Sequence, residues 1–267
     1  MVVRMSGQPR TGSYRERNST ADRALDILMM FTDEERVLSG AAVAARLEVA
    51  RSTAYRYLQS LVASRFLEEA PGGGFRLGLR VLELGRIARR SYGLSEAAAP
   101  VMAKLSEAVR ETVLLTRRVG ELVVCVDREE PPAHHVRLSY ERGSTLPLNA
   151  GASALVLLAW SDPDEARAVL KSAPLQRFTP ATLTDVDAVM RRLAEIREQG
   201  FSVTRGELDP DVLGIAAPIR DDEDRVVAAI SVAALASRVP KKREAPIVEQ
   251  VRSAAAEIGG RLALMNG

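Results

Sequence analysis

The chain has 267 residues, of which 46% are hydrophobic and 27% are charged, and its formal net charge is +2. This length is enough for two domains of ordinary size, and no apolar run approaches the length that a membrane-spanning helix needs. The single cysteine, Cys125, excludes an intramolecular disulfide framework and is typical of a reducing compartment, so we expect a cytoplasmic protein with no membrane partner.

Charge is distributed unevenly along the chain. Residues 1–95 carry 15 Lys and Arg against 10 Asp and Glu, whereas the remainder carries 22 against 25. A basic first third indicates that this part meets phosphate, although many enzymes have a similar imbalance by chance.

The chain opens with a polar, arginine-containing segment, residues 1–18, which we interpret as a disordered basic tail. It is either a plain solvated extension or an arm that adds contacts to phosphate. Ser19 or Thr20 can cap the helix that follows, which we expect to run to about residue 31. Its apolar residues at helical spacing are Leu25, Leu28 and Phe31.

Residues 39–85 have the pattern of a helix-turn-helix followed by a wing. Ser39–Leu47 predicts a short helix capped by Ser39, and after a break Arg51–Ala63 predicts a second one. The turn Pro71–Gly74 lies between two short β-prone segments, at residues 66–67 and 75–77. We therefore predict a winged helix-turn-helix at residues 19–78, whose second helix fits the major groove of double-stranded DNA.

The second helix of the pair has one apolar and one polar side. Ala54, Leu58 and Leu61 form the predicted buried stripe, so the other side is free for a groove or for solvent. Hydroxyls near the helix start can donate to phosphate, and Arg and Gln side chains can read base edges. The candidate DNA-binding residues are Arg51, Ser52, Thr53, Tyr55, Arg56 and Gln59, with Arg76 on the wing.

Residues 79–94 predict an amphipathic linker helix after the wing. One winged helix covers few base pairs, and binders of this size usually act as symmetric dimers. We expect the linker and the helix at residues 20–31 to provide the dimer contact.

Residues 95–267 alternate helices with β-rich segments, which indicates an α+β domain. We expect a helix capped by Ser95, an apolar helix that opens at Gly151–Ser153, an amphipathic helix at Leu183–Glu198 and a final helix at Ile247–Met265. The predicted strands are Val113–Leu115, Leu122–Val126, His135–Tyr140, Phe201–Thr204, Ile215–Ile219 and Val226–Ala234.

Several separated blocks together resemble the IclR family of bacterial transcriptional regulators. Each block alone has low specificity, but their order and spacing across residues 19–238 are specific. The blocks are Ala50–Arg56, Phe75–Gly78 with Leu82–Gly85, Leu146–Ser153, Ile196-Arg197 with Gly200-Phe201, and Gly214–Ile219 with Val226–Val232.

The resemblance implies a winged helix-turn-helix joined by a linker helix to a GAF-like effector-binding domain with a six-stranded antiparallel sheet. Members bind small metabolites, often carboxylic acids, which change how a homodimer or a dimer of dimers acts on operator DNA. Carried over by motif, the effector pocket would be lined by Leu146, Ala152, Ser153, Thr204, Val212, Gly214, Ser231 and Ala233.

The chemistry of these residues agrees with an acid ligand. Backbone N–H groups at Gly151–Ser153 begin a helix and offer partial positive charge to a carboxylate, although Gly151 and Ala152 could equally serve only to pack this helix on the sheet. Thr204, Gly214 and Ala233 replace more polar or larger residues of the family pattern. We therefore expect a roomier, less polar pocket that takes a larger acid, aromatic or branched, rather than a two- or three-carbon keto acid.

Other suggestive residues do not combine into a catalytic or metal site. His134, His135 and Cys125 have no second closely spaced pair of ligands, and Glu207, Asp209 and Asp211 fit a solvated loop better than an acid–base site. We expect no metal, no cofactor and no catalytic residue. The alternative function is a metabolite-converting enzyme whose winged helix mediates protein contacts.

Overall fold

The computed structural model describes residues 19–32, 34–91, 93–131 and 140–266. The chain divides into two compact units, Met1–Ala88 and Arg89–Gly267, and the division falls inside a helix. The predicted tail at residues 1–18 and most of the predicted strand His135–Tyr140 lie outside the described residues.

The first unit is a three-helix head with a two-stranded wing. Its elements are α1 (Ser19–Leu28), α2 (Gly40–Leu47), α3 (Arg51–Ala63), β1 (Leu67–Glu69), β2 (Phe75–Leu77) and the start of α4 (Leu79–Ser91). The strands pair antiparallel, and Leu38 forms an isolated bridge to Phe75 at the edge of the wing. The winged helix-turn-helix predicted from the sequence is confirmed.

Local sequence explains the helix-turn-helix. The Ser39 hydroxyl accepts a hydrogen bond from Ala42 N at 3.1 Å and so caps α2. Glu48 ends that helix in the left-handed region at φ 55°, which turns the chain toward α3. Along α3, Ala54, Leu58 and Leu61 are buried, as their spacing predicts, against a core that includes Val43 and Leu47.

Glycine permits the tight turn at the tip and the close approach at the base of the wing. Gly72, Gly73 and Gly74 all have positive φ, between 86° and 105°, which side chains with a Cβ rarely adopt. At the base, a Cβ on Gly78 would lie 2.3 Å from the carbonyl oxygen of Arg65. The wing therefore depends on backbone geometry rather than on a large core of its own.

The first helix differs from its prediction. It ends at Leu28, earlier than residue 31, and Ile27 is fully buried while Leu25 is 59% exposed. The stripe that packs on the core is Ala24, Ile27, Leu28 and Phe31. The spacing of Leu25, Leu28 and Phe31 is equally helical, so periodicity alone could not choose between two adjacent faces.

The second unit is a six-stranded antiparallel sheet with helices on both faces. Its strands are β3 (Thr112–Val119), β4 (Leu122–Glu129), β5 (Thr145–Leu146), β6 (Ser202–Arg205), β7 (Val212–Arg220) and β8 (Val226–Leu235), in the order β5-β4-β3-β8-β7-β6. Its helices are α5 (Leu94–Val109), α6 (Ala152–Ala159), α7 (Pro163–Lys171), α8 (Val186–Gln199) and α9 (Lys241–Asn266), with a 3-10 turn at Ala236–Arg238.

Side chains along the strands alternate between the two faces of the sheet, and each face packs into its own hydrophobic core. Val113, Leu115, Ile215 and Val232 point to a core shared with α5 and α9. Intervening residues such as Ala216 and Ala229 face a core shared with α6, α7 and α8. The start of α6 lies on this second face, which is where the predicted pocket residues gather.

Several boundaries in the second unit are corrected. The linker helix ends at Ser91 rather than at residue 94, and Gly93, at φ 60°, is the N-cap of α5; Ser95 lies within that helix and does not cap it. Asp162 caps α7 by accepting from the amides of Asp164 and Glu165, a helix that the sequence analysis missed. The helix α9 begins at Lys241, before the predicted Ile247.

Candidate nucleic-acid interface and ligand pocket

The exposed side of α3 carries the residues proposed to meet DNA. Arg51, Ser52, Arg56 and Gln59 are exposed, and Thr53 is half-buried. No side chain caps this helix, because Ala50 occupies the N-cap position. The amides at its start are therefore available to an acceptor such as a phosphate oxygen.

Tyr55 is fixed by two contacts within the head. Its ring lies against the start of α2, since a Cβ on Gly40 would come within 2.6 Å of Tyr55 Cε2. The ring also meets Phe75 of β2 edge-on, with centroids 6.0 Å apart. Because 47% of the side chain stays exposed, the ring both joins α3 to the wing and reaches the surface.

Arg76 is held by a partner that the sequence analysis did not consider. Arg76 stands opposite Glu68 in the wing, and its Nη2 lies 3.1 Å from Glu68 Oε2. The other oxygen of Glu68 accepts from Leu79 N at 3.4 Å. Both side chains of the ion pair are exposed, so its contribution to stability is small, and Arg76 can exchange Glu68 for a phosphate at little cost.

All eight residues predicted to line a pocket border one cavity. It lies between the start of α6 and strands β3, β6, β7 and β8. The predicted residues in its wall are Leu146, Ala152, Ser153, Thr204, Val212, Gly214, Ser231 and Ala233. The wall also includes Leu114, Tyr140, Glu207 and Leu208, which the sequence analysis did not place there.

The expectation of a roomy pocket is not met in this structure. The free space measures about 40 Å³, room for only a few waters. Tyr140 and Leu208, two large side chains, line the same cavity as Thr204, Gly214 and Ala233.

The floor of the cavity is formed by two hydroxyls and by a close approach between Gly214 and the start of α6. Ser153 Oγ donates to Ser231 Oγ at 2.8 Å, and both serines are buried. A Cβ on Gly214 would lie 2.9 Å from Thr204 Oγ1 and 3.1 Å from Ala152 Cβ. Gly214 therefore lets the start of α6 approach the sheet closely, and both interpretations of this helix start, packing and ligand binding, fit the geometry.

Glu207 corrects the expectation of a solvated acidic loop. Asp209 and Asp211 are exposed, as expected, but Glu207 is half-buried in the cavity wall. Its Oε2 accepts a hydrogen bond from Gly151 N at 3.3 Å. Burial raises the pKa of this carboxyl above its ordinary value, against the opposing effects of the Gly151 N–H and the Arg192 guanidinium.

A hydrogen-bond network holds the segment at residues 176–184 beside the pocket. The buried Asn149 donates from Nδ2 to the carbonyls of Gln176 and Leu183 at 3.0 and 2.9 Å. Thr179 donates to the Gly206 carbonyl at 2.5 Å, and Thr182 donates to that of Glu207 at 2.6 Å. These hydrogen bonds connect residues on both sides of the cavity to the segment at residues 176–184.

Cys125 and Tyr140 pack beside the cavity. Cys125 is buried with Leu114 and Ala233, and burial raises the pKa of its thiol to about 11. Burial likewise raises the pKa of Tyr140 to about 12, so its hydroxyl stays protonated at neutral pH. In the described parts of the chain, no group of three or more His, Cys, Asp and Glu side chains is arranged to hold a metal.

Trp160 lies at the end of α6 and packs against the second core. The guanidinium of Arg220 stacks 5.3 Å from its ring centroid. His134 and His135 lie outside the described residues. Within the described ranges, no helix combines the length and apolar character needed to cross a bilayer.

Comparison with protein families assigns both units. The model of the IclR helix-turn-helix domain matches residues 20–71, and that of the C-terminal domain of IclR bacterial transcriptional regulators matches residues 88–259. The chain belongs to the IclR family and is a DNA-binding transcriptional regulator, not an enzyme.

Characterised relatives cover nearly the whole chain. The HTH-type transcriptional regulator XynR of Escherichia coli is 31% identical over 88% of this chain and 93% of its own length. The HTH-type transcriptional regulator BhcR of Paracoccus denitrificans is 31% identical over 96% of this chain and 94% of its own.

Solved structures have the same fold. An IclR regulator from Silicibacter sp. TM1040 is 28% identical and superimposes with a TM-score of 0.83 over 91% of this chain and 96% of its own. An IclR homologue from Microbacterium hydrocarbonoxydans, solved in complex with 4-hydroxybenzoate, is 31% identical with a TM-score of 0.77 over 92% of this chain and 99% of its own.

Proposed function

We propose that this regulator binds double-stranded operator DNA through α3 and the wing, and that a small organic acid bound beside α6 changes that binding. The observation that carries the proposal is that the eight pocket residues, dispersed between positions 146 and 233 of the sequence, border one cavity. A recognition helix and a metabolite cavity in one chain are the two parts that a ligand-controlled regulator needs.

On the DNA side, the exposed residues of α3 divide by chemistry. Ser52 and Thr53, near uncapped amides, suit phosphate oxygens and set the register of the helix in the groove. Arg56 and Gln59 stand about one and two turns further along and suit base edges, Arg preferring guanine and Gln preferring adenine. Arg51, Tyr55 and Arg76 extend the contact toward the backbone on either side.

On the effector side, we infer a carboxylic acid of aromatic or branched character. A mainly apolar wall with a few hydroxyls suits such a ligand, and the Microbacterium relative binds 4-hydroxybenzoate. Since the free space is about 40 Å³, we expect Leu208 or Tyr140 to move when an aromatic acid binds. Calorimetric titration that shows a preference for glyoxylate or pyruvate over aromatic and branched acids would reject this ligand class.

We infer that the protein acts as a homodimer or as a dimer of dimers. Large apolar side chains are exposed on α1 and α4, where the dimer contact is expected. The most exposed are Met29, just after α1, and Leu79 and Leu82 of α4, at 76%, 70% and 71%. Leu79 and Leu82 stand three residues apart and so share one side of α4, and exposed large apolar residues on one helix face are typical of a surface that another protein covers. Because its partner is DNA, we infer that the protein acts in the cytoplasm.

Titration of the upstream DNA of the protein's own gene tests the proposed function. Binding should weaken steeply as salt increases, because neutralised phosphates release counterions. An aromatic acid such as 4-hydroxybenzoate should shift the affinity at constant salt. A protein that binds its upstream DNA no better than a scrambled duplex at every salt concentration would contradict the proposed operator.

A further inference from the structure

Glu207 occupies the position where an anionic ligand would be expected. Its carboxylate accepts from the backbone N–H of Gly151, the N-cap residue of α6. Gly151 has no side chain that could cap the helix, and the first amides of a helix attract negative charge. In this structure the protein supplies that charge from its own loop.

The rest of the cavity wall offers an anion little compensation. Among the described residues of the wall, none is Lys, Arg or His, and the polar groups are hydroxyls such as Ser153, Thr204 and Tyr140. Arg192 of α8 acts on Glu207 by lowering its pKa, but its guanidinium already binds Glu195 and the Val203 carbonyl. A second carboxylate entering this space would face Glu207 with no described cation between them.

Electrostatics then decides the protonation of the pair. Two carboxylates that share an apolar space cannot both stay ionised without a large cost, so one of them gains a proton. Glu207 is the better candidate, because burial already raises its pKa, whereas an acid arriving from water is ionised at neutral pH. Asp209, on the same loop, is exposed and has no part in the cavity wall.

We propose that Glu207 is a resident acid of the pocket, an inference that rests on the proposed carboxylate effector. When the effector binds, its carboxylate replaces that of Glu207 as the acceptor of the Gly151 N–H, and Glu207 takes up one proton. Effector affinity is therefore coupled to pH through one residue. Acids that bring their own hydrogen-bond donor toward Glu207, such as a hydroxyl, escape part of this cost.

The test is calorimetric titration with benzoate and 4-hydroxybenzoate between about pH 6 and pH 8, in buffers of different ionisation enthalpy. For the wild type, affinity should fall by up to about tenfold per pH unit between the pKa of Glu207 in the free protein and its higher pKa in the complex, with proton uptake approaching one per ligand in that range. Glu207→Gln removes the titrating group and should bind with little dependence on pH. The matched control Asp209→Asn, a neutralised carboxylate on the same loop, should keep the wild-type dependence.

The outcomes separate this inference from the function on which it rests. Wild-type binding without proton uptake, and with the same pH profile as Glu207→Gln, overturns the role of Glu207 and leaves the carboxylate effector standing. Binding of either acid by Glu207→Gln alone supports the role, because the resident charge then excludes the ligand. If neither protein binds either acid at any pH, the carboxylate effector fails and the inference fails with it. Should Glu207→Gln not fold, Glu207→Ala and the wild-type proton count decide the question.

Discussion

Arg56 stands on the outer face of α3, one turn beyond the uncapped helix start, with its side chain exposed to solvent. Changing Arg56 to alanine should weaken binding to the operator by about 1–3 kcal/mol and leave binding to random DNA little changed, because Arg reads guanine through two hydrogen bonds. Fluorescence anisotropy with both duplexes measures the difference. An equal loss on both would assign Arg56 to phosphate, and Arg252→Ala in the second unit should change neither.

The buried hydroxyl pair Ser153–Ser231 offers a test in the pocket floor. Each single change to alanine leaves one buried hydroxyl without its partner and should lower the free energy of unfolding by about 0.5–1.5 kcal/mol. The double variant should lose little more than the worse single variant, since no orphaned hydroxyl remains. Urea denaturation of the four proteins measures this, and additive losses would show that the two hydroxyls do not depend on each other.

Cys125 reports on the same region, because it is the only thiol in the chain. Burial raises its pKa to about 11, so at pH 8 very little of it is the reactive thiolate. Reaction with a chromogenic disulfide reagent at pH 8 should be at least about 100-fold slower in the native protein than in urea. Labelling at the rate of the unfolded chain would contradict the packing of Cys125 against Leu114 and Ala233.

At the level of single residues, the sequence could predict those site residues that belong to short motifs. The eight pocket residues came from blocks whose order matched a family pattern, and they border one cavity. Glu207 was assigned to solvent because it lies in a loop rich in Gly, Asp and Pro. Its burial depends on Thr179 and Thr182, which hold the loop from more than 20 residues away, and local sequence cannot signal such contacts.

Among the elements, strong periodicity and clear caps made prediction possible. The α2–α3 pair, the wing and α8 were predicted close to their observed bounds, because apolar stripes, glycines and capping side chains mark them. The short helix α7 was missed although Asp162 caps it and its buried residues, Ala166, Val169 and Leu170, stand at helical spacing. In α1, two adjacent faces fit the apolar spacing, and only packing selects Ile27 over Leu25.

The linker helix α4 also carries an element-scale prediction. Leu82→Ser should weaken self-association without loss of stability, because this side chain is exposed within its own chain and is proposed to be covered by a second copy. Sedimentation velocity across a dilution series measures the change, with thermal melting as the check on folding. The matched control is Leu122→Ser, which changes an exposed leucine of the second unit. An unchanged dimer in both variants would show that the interface lies elsewhere.

For the whole molecule, the central claim is that effector binding and operator binding are coupled. A helix runs without interruption across the boundary between the two units, from Leu79 to Ser91. We expect this helix to be the lever, since it joins the effector unit to the unit that carries the recognition helix. Coupling of this kind is reciprocal, so the operator must change effector affinity by the same factor.

The most direct measurement is the affinity for the upstream duplex at fixed salt and pH, with and without saturating 4-hydroxybenzoate. We expect a shift of about 5–150-fold in the dissociation constant, in either direction, and an equal shift in effector affinity when the duplex is present. Specific DNA binding that stays the same at saturating effector would contradict it.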